Sequence, residues 1–229
     1  MNRIGRGVRI LLATLALLGL EISLASAQDM PAAVGRISYS ETAKPGAAIC
    51  SGALVAPDLV LTAAHCVRGV AANPAALRFD AGWKADQPSG SRRGMQVILT
   101  GTVPVAGLAG LPEDVALIVL DAPFSPEEAT PLRLAAPLEG AFTVHAFRRD
   151  SSERPALPVA CGLRTALPGL LGLDCPVVSG NSGAPLLQYQ GTAWWIVAVM
   201  VAASPSGPIR SWAVLPPTKL LQRIALQPK

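Results

Sequence analysis

The sequence predicts an all-β fold that closes with one short helix. Three observations carry this prediction. Short apolar or alternating runs recur along the chain, separated by Gly, Pro, Asp and Asn. Gly and Pro number 21 each in 229 residues, too many for a helical bundle and well suited to strands joined by turns. No helical period dominates before the C-terminus. Such a pattern belongs to a barrel or a sandwich. Hydrophobic residues make up 51% and charged residues 15%, which excludes disorder over most of the length. Aromatics are only 4%, so Ala, Val and Leu must build the core.

The elements follow in chain order. Residues 1–27 read as an export signal: Arg3, Arg6 and Arg9 precede the apolar run Ile10–Leu20, and Ala25-Ser26-Ala27 is a small-residue cleavage site. The run ends at Glu21 and is too short for a membrane span, which needs ~20 apolar residues. No Cys follows it to carry a lipid. Predicted strands are Ala48–Val55, Leu59–Ala63, Ala76–Phe79, Met95–Val103 and Val115–Leu120. A second set comprises Phe142–Phe147, Leu157–Gly162, Ala184–Tyr189, Ala193–Ala203 and Ile209–Leu215. Between the sets, Asp121–Pro131 is polar and holds three Pro. A linker at about 122–131 thus divides the mature chain into halves at about 33–121 and 132–229. After Pro216-Pro217, Leu220, Leu221, Ile224 and Ala225 in Thr218–Leu226 stand at helical spacing and predict a helix with Pro at its start.

Charge and cysteines bound the function. The chain carries +4, and the signal's three Arg and one Glu account for half of that. A weakly positive surface without a long charge block gives no support to nucleic-acid binding. Export delivers the chain to the periplasm or beyond the cell, where its four Cys can pair. Three pairings are open on spacing alone. No second His lies at metal-ligand spacing from either histidine and no Cys pair is CxxC, so no metal and no cofactor are expected. His145 lies in FTVHAF, where alternation could turn it inward or outward.

Three segments carry chemistry. Cys50–Cys66 reads CSGALVAPDLVLTAAHC, a strand, a turn at Pro57-Asp58 and a strand that ends at His65. Glu113–Leu120 reads EDVALIVL, with Asp114 before an apolar strand. Val178–Pro185 reads VSGNSGAP, with Ser182 in a Gly-flanked turn. A serine hydroxyl is a weak nucleophile that needs an imidazole to take its proton, and the imidazole needs a group to fix its tautomer. Glycines let the backbone turn tightly enough to aim two N–H groups at an oxyanion. Taken singly, each residue has a structural reading: His65 beside a cystine, Asp114 as a cap, Ser182 as a turn residue.

Together, and in the order His, Asp, Ser, the segments resemble the chymotrypsin-like serine proteases. CSGALV and TAAHC resemble that family's catalytic-His segment, DVALIVL its Asp strand and GNSGAP its nucleophile loop. The resemblance extends over roughly residues 33–226. It implies a double six-stranded antiparallel β-barrel with the site in the cleft between barrels. It also implies His65 as general base and acid, Asp114 as its orienting partner, Ser182 as nucleophile, and the N–H groups of Gly180 and Ser182 as oxyanion hole. Disulfides Cys50–Cys66 and Cys161–Cys175 follow from the same pattern and from nearness in sequence.

Two departures bear on specificity and control. Asn181 stands where the animal digestive enzymes carry an Asp that receives a new N-terminal ammonium, and their IVGG start is replaced near Ala33-Val34-Gly35-Arg36. Activity is therefore expected to be independent of that ion pair. GNSG is similar to glutamyl-endopeptidase-like bacterial members. Pro176 stands where trypsin-like enzymes place a specificity Asp, and Trp195–Ala203 has no His of the kind that glutamyl-specific relatives use. Met200–Ala203 predicts an apolar pocket wall. The resemblance thus implies an exported, monomeric endopeptidase acting on polypeptides after apolar or small residues, with a protein inhibitor as a second class of partner. The alternative is a catalytically silent binding protein on the same fold.

Overall fold

A computed structural model describes residues 30–39, 48–84, 86–101, 107–151 and 153–226. The signal segment 1–27 and the end of the predicted strand Met95–Val103 lie outside the described residues. The first half contains β1 (Val34–Tyr39), β2 (Ala48–Ala56), β3 (Leu59–Thr62), β4 (Leu77–Ala81), β5 (Gly90–Leu99) and β6 (Ala116–Leu120). They close into an antiparallel barrel in the order β1-β2-β3-β6-β5-β4. Leu59–Thr62 is buried throughout, and β6 nearly so, because both run through the barrel core as unbroken apolar segments.

The second half contains β7 (Arg133–Leu134), β8 (Phe142–Val144), β9 (Val159–Cys161), β10 (Leu163–Leu167), β11 (Leu170–Leu173), β12 (Pro185–Gln190), β13 (Ala193–Ala203) and β14 (Ser211–Val214). The sheet runs β10-β11-β14-β13-β12-β8-β9, with β7 added in parallel to β13. The second half is thus a curled half-barrel beside the closed first barrel, as the two-barrel reading expects. Among the described residues no hydrogen-bonded pairing closes the ring, and the sheet is a curled one. Its two edge strands, however, are consecutive in the chain and joined by Gly162 alone. Counting β9 and β10 as one strand bent at Gly162, the path holds six. The bend is held by Gly162 N–H donating to Asp174 Oδ1 at 2.7 Å and by the Cys161–Cys175 disulfide.

Four strands escape the sequence pattern. In β1, Arg36 interrupts the apolar alternation, yet it is held part-buried against fully buried Asp80, with Nη2 2.8 Å from Oδ2. The β10–β11 hairpin turns at Pro168-Gly169, the glycine at φ +75°, a Pro-Gly turn between runs that show no period of two. The short β7 is the fourth. Also, β5 starts at Gly90 rather than Met95, because GSRRG pairs with β4 as a polar, part-exposed strand. The segment Asp121–Pro131 is not a free tether: Phe124 and Ala129 are buried in the first core, Phe124 edge-on to Phe79 at 6.0 Å.

One apolar core fills the first barrel and continues through Leu187, Ile196, Val199 and Val214 of the second half, while Phe142, Val144, Leu173, Leu186 and Val197 form a smaller second cluster. Helix α2 (Thr218–Ala225) follows Pro216-Pro217 and docks through buried Leu220. The loop between β8 and β9 stands out, with Leu157 87% exposed.

Candidate active site

Strand β3 ends at Thr62, and the chain enters a four-residue helix, α1 (Ala64–Val67). One turn of helix separates the faces of its residues. Ala64, Cys66 and Val67 point into the core and His65 points out, its side chain 46% exposed. The Cys50–Cys66 disulfide fastens this turn to β2. Asp114 enters from a 3₁₀ turn (Leu108–Glu113) just before β6, which pairs with β3 along its whole length. Its carboxylate spans His65 at two points: Oδ1 accepts the backbone N–H at 2.7 Å and Oδ2 lies 2.6 Å from the ring Nδ1. A carboxylate only accepts, so Nδ1 carries the proton and Nε2 presents its lone pair to the cleft. The Asp114 carbonyl also accepts the Ala64 N–H at 3.2 Å, which locks the two segments together.

Ser182 stands in the turn Val178–Gly183. Asn181 builds that turn from inside: its Oδ1 accepts the Val178 N–H at 2.9 Å and its Nδ2 donates to the Phe147 carbonyl at 2.9 Å. The side chain is buried, and its amide is satisfied at both ends by backbone. Two glycines are required here. At Gly180, φ +101°, a Cβ would lie 2.6 Å from the Arg149 nitrogen; at Gly183, φ +80°, it would collide with Thr62 and with the Ser51 carbonyl. Gly183 N–H donates to the Met200 carbonyl at 2.7 Å, tying the turn to β13.

Ser51 joins the halves at this point. Its N–H donates to the Ser182 carbonyl, its hydroxyl donates to the Gly180 carbonyl and accepts the Phe147 N–H, and its carbonyl accepts the Thr62 hydroxyl, all at 2.8 Å. The residue is fully buried. The backbone carbonyls of Gly180 and Ser182 are thereby turned toward the first barrel. Among the described residues neither the Gly180 nor the Ser182 N–H has a backbone partner. Two such donors in one turn are suited to a developing oxyanion.

The structure thus places His65 against Asp114 and sets Ser182 and Gly180 in the cleft that His65 lines, a cavity of about 190 Å³ shared with Tyr39, the Cys50–Cys66 disulfide, Arg149 and Ser179. No hydrogen bond joins Ser182 to His65 among the described residues; such contacts are often long before substrate binds. On the other side of Ser182 a cavity of about 470 Å³ is lined by Val177, Val178 and Met200–Ala203 together with Ser179 and Asn181, with no charged side chain among the described residues of its lining. Ligand atoms of Cys50, His65 and Cys66 lie within 4.8 Å of one another, but both sulfurs are spent in the disulfide. His145 turns inward. It is 1% exposed, edge-on to Trp194 at 5.8 Å, and neither ring nitrogen has a partner among the described residues. Burial pushes its pKa down to about 4.

The sequence pattern misses Ser51, Tyr39 and Arg149. CSG gives the only signal for Ser51, because a Ser between a cystine and a Gly in a buried strand needs partners for its hydroxyl. Nothing local marks the other two.

A family model, described as a trypsin-like peptidase domain, matches residues 50–196, a span that holds every residue of this cleft except Tyr39 and also the two disulfides. No curated protein matches the chain.

Proposed function

The chain belongs to the trypsin-like peptidase family and is a serine-type peptidase; from that premise we propose that it is an exported endopeptidase that acylates Ser182 and cleaves after apolar or small residues. The observation that carries this reading is the doubly held His65, fixed by Asp114 at ring and backbone, in one cleft with Ser182 and two unbonded turn N–H groups. In the first step Nε2 of His65 takes the Ser182 proton as Oγ bonds to the scissile carbonyl carbon. Asp114 stabilises the imidazolium. Gly180 and Ser182 N–H groups hold the oxyanion, each contributing on the order of 3 kcal/mol. Collapse breaks the C–N bond, and the imidazolium proton goes to the leaving amine. Water then repeats the sequence on the acyl ester, releasing the acid and Ser182.

The apolar walls of the 470 Å³ cavity support a preference for apolar or small side chains before the scissile bond. The satisfied amide of Asn181 supports activity without an N-terminal ammonium, since the turn is already braced from inside. Two disulfides support an oxidising compartment. Among the described residues no helix is long and apolar enough to cross a membrane.

Labelling with a neutral fluorophosphonate tests the reading. One adduct per chain is expected at Ser182, absent in Ser182→Ala, with the rate lowered on the order of 10⁴-fold in Asp114→Asn through the wrong His tautomer. Folded, disulfide-bonded protein that takes no label would instead be a binding protein. A peptide panel varied before the scissile bond should favour apolar residues; a dominant preference for Lys, Arg or Glu would sink the specificity.

A further inference from the structure

A further cavity, of about 720 Å³, lies under the loop that joins β8 to β9. Neither His65 nor Ser182 is among the described residues of its lining. Val177, Val178 and Asn181 form a partition between it and the 470 Å³ cavity beside Ser182. Val144 and Ala146 line one flank, Ala156–Val159 of the loop and its following strand line another, and Pro176–Val178 closes the side toward the Ser182 turn. Backbone bonds hold the loop in place over this space. Ala156 N–H donates to the Ala146 carbonyl at 2.9 Å, and Arg149 N–H donates to the Ser179 carbonyl at 2.9 Å. The cavity is therefore formed before any ligand arrives, and its volume and mostly apolar lining are those of a small-molecule site.

Two side chains define the class of ligand. Leu157 lines the cavity and is 87% exposed. An isolated surface leucine is ordinary, but one that extends an apolar wall adds area for an apolar ligand to cover. The second is Arg154. Of the other polar groups in the described lining, Arg148 is paired with Asp150 through bonds of 2.9 and 2.7 Å, and the Asn181 amide is bonded at both ends. Arg154 is exposed and makes no hydrogen bond or ion pair among the described residues. It also borders the neighbouring cavity that holds Asp86 and Glu153, and it pairs with neither. A guanidinium is a planar fork of donors that a carboxylate matches.

We propose that this cavity binds an apolar chain that ends in a carboxylate, a straight-chain fatty acid being its simplest form. The chain packs against Val144, Leu157, Val159 and Val177, and the carboxylate meets Arg154. The site goes beyond the peptidase reading and does not depend on it, because none of His65, Asp114 and Ser182 takes part.

Calorimetric titration of the mature wild-type protein tests the site. The probes are straight-chain carboxylates from hexanoate to dodecanoate, each below its micellar range and each compared with its primary alcohol. One ligand per chain is expected. Affinity should rise about fourfold per added methylene until the cavity is filled. The carboxylate should bind roughly five-fold tighter than its alcohol, the size of one exposed ion pair, and salt should shrink that ratio. Arg154→Gln should bring the ratio to one and leave the gain per methylene unchanged. Leu157→Ser should weaken acid and alcohol alike, and Ala156→Phe, which fills the cavity, should remove both. Arg154 and Leu157 are exposed, so their variants keep the test intact if Ala156→Phe fails to fold. No saturable binding, several ligands per chain, a ratio near one in the wild type, or affinities unchanged in both Arg154→Gln and Leu157→Ser would overturn the assignment. Fluorophosphonate labelling of the same preparation keeps this failure apart from that of the peptidase reading. Protein that labels at Ser182 but binds no carboxylate rejects this site alone, and protein that binds the carboxylate without labelling supports the site and rejects the peptidase reading.

Discussion

His145 shows what one buried side chain does to the response of the whole protein to acid. In the unfolded chain an imidazole binds a proton near pH 6.5; in the folded protein burial holds it off until about pH 4. Between those values the unfolded state carries the extra proton. Stability from this group is therefore complete above pH 6.5 and is lost as pH falls toward 4, by about 3 kcal/mol over the window. Replacing His145 with Leu, which needs no partner for ring nitrogens, should flatten the pH dependence of chemical denaturation between pH 6.5 and 4 relative to wild type. Parallel curves for the two proteins would refute the account. The residues of the candidate site were easier to place in their segments than this one. His65, Asp114 and Ser182 each sit in a short segment whose neighbours announce the turn or strand that presents them. The direction of His145 depended on which face of FTVHAF met Trp194, and alternation alone does not say.

At the scale of elements, the Ser182 turn belongs to the second half of the chain but is braced by a strand of the first. Ser51 of β2 meets Gly180 across 129 positions of sequence and Phe147 across 96. Ser51→Ala removes one hydroxyl and leaves a buried carbonyl and a buried N–H without partners, a cost of about 2–4 kcal/mol. Labelling of Ser182 should slow as well, because the Gly180 peptide loses the bond that orients it. A variant with wild-type Tm and labelling rate would mean that the turn is held from its own side alone. Contacts of this range leave no mark in local pattern, which is why Ser51 was legible only as a buried hydroxyl. The β10–β11 hairpin was missed for a different reason. Leu163 and Leu167 are exposed while Leu170–Leu173 is buried on both faces, so neither strand shows the alternation that reveals a half-buried one. The Pro168-Gly169 turn was the available clue. In β1 the charge of Arg36 hid a strand, because its partner Asp80 comes from β4, more than forty residues on.

Across the whole molecule, the two halves share one core as well as one cleft, since Leu187, Ile196, Val199 and Val214 pack with the interior of the first barrel. A chain so built should unfold as one unit. Denaturation followed by circular dichroism and by loss of Ser182 labelling, with disulfides intact, is expected to give coincident midpoints. Labelling that disappears well before the ellipticity would reveal halves that separate first. The all-β class, the paired sets of strands and the C-terminal helix were readable from turn residues and periods. The bend at Gly162 that returns the second sheet to its own start was not, since one strand serving both edges looks in sequence like an apolar run and a loop. The exposed loop carrying Leu157 bears on a hazard that every endopeptidase meets in its own company. If the proposed export and apolar specificity hold, each copy would meet other copies as substrate. Leu157 offers the most accessible apolar side chain on the described surface, and Leu167 is 41% exposed. Each is followed at once by a proline, Pro158 or Pro168. The bond after such a leucine is a tertiary amide closed into a ring, with no N–H and a fixed φ, a poor fit for a cleft shaped around ordinary peptides. On the proposed specificity, these two exposed leucines would be spared self-cleavage by the prolines that follow them.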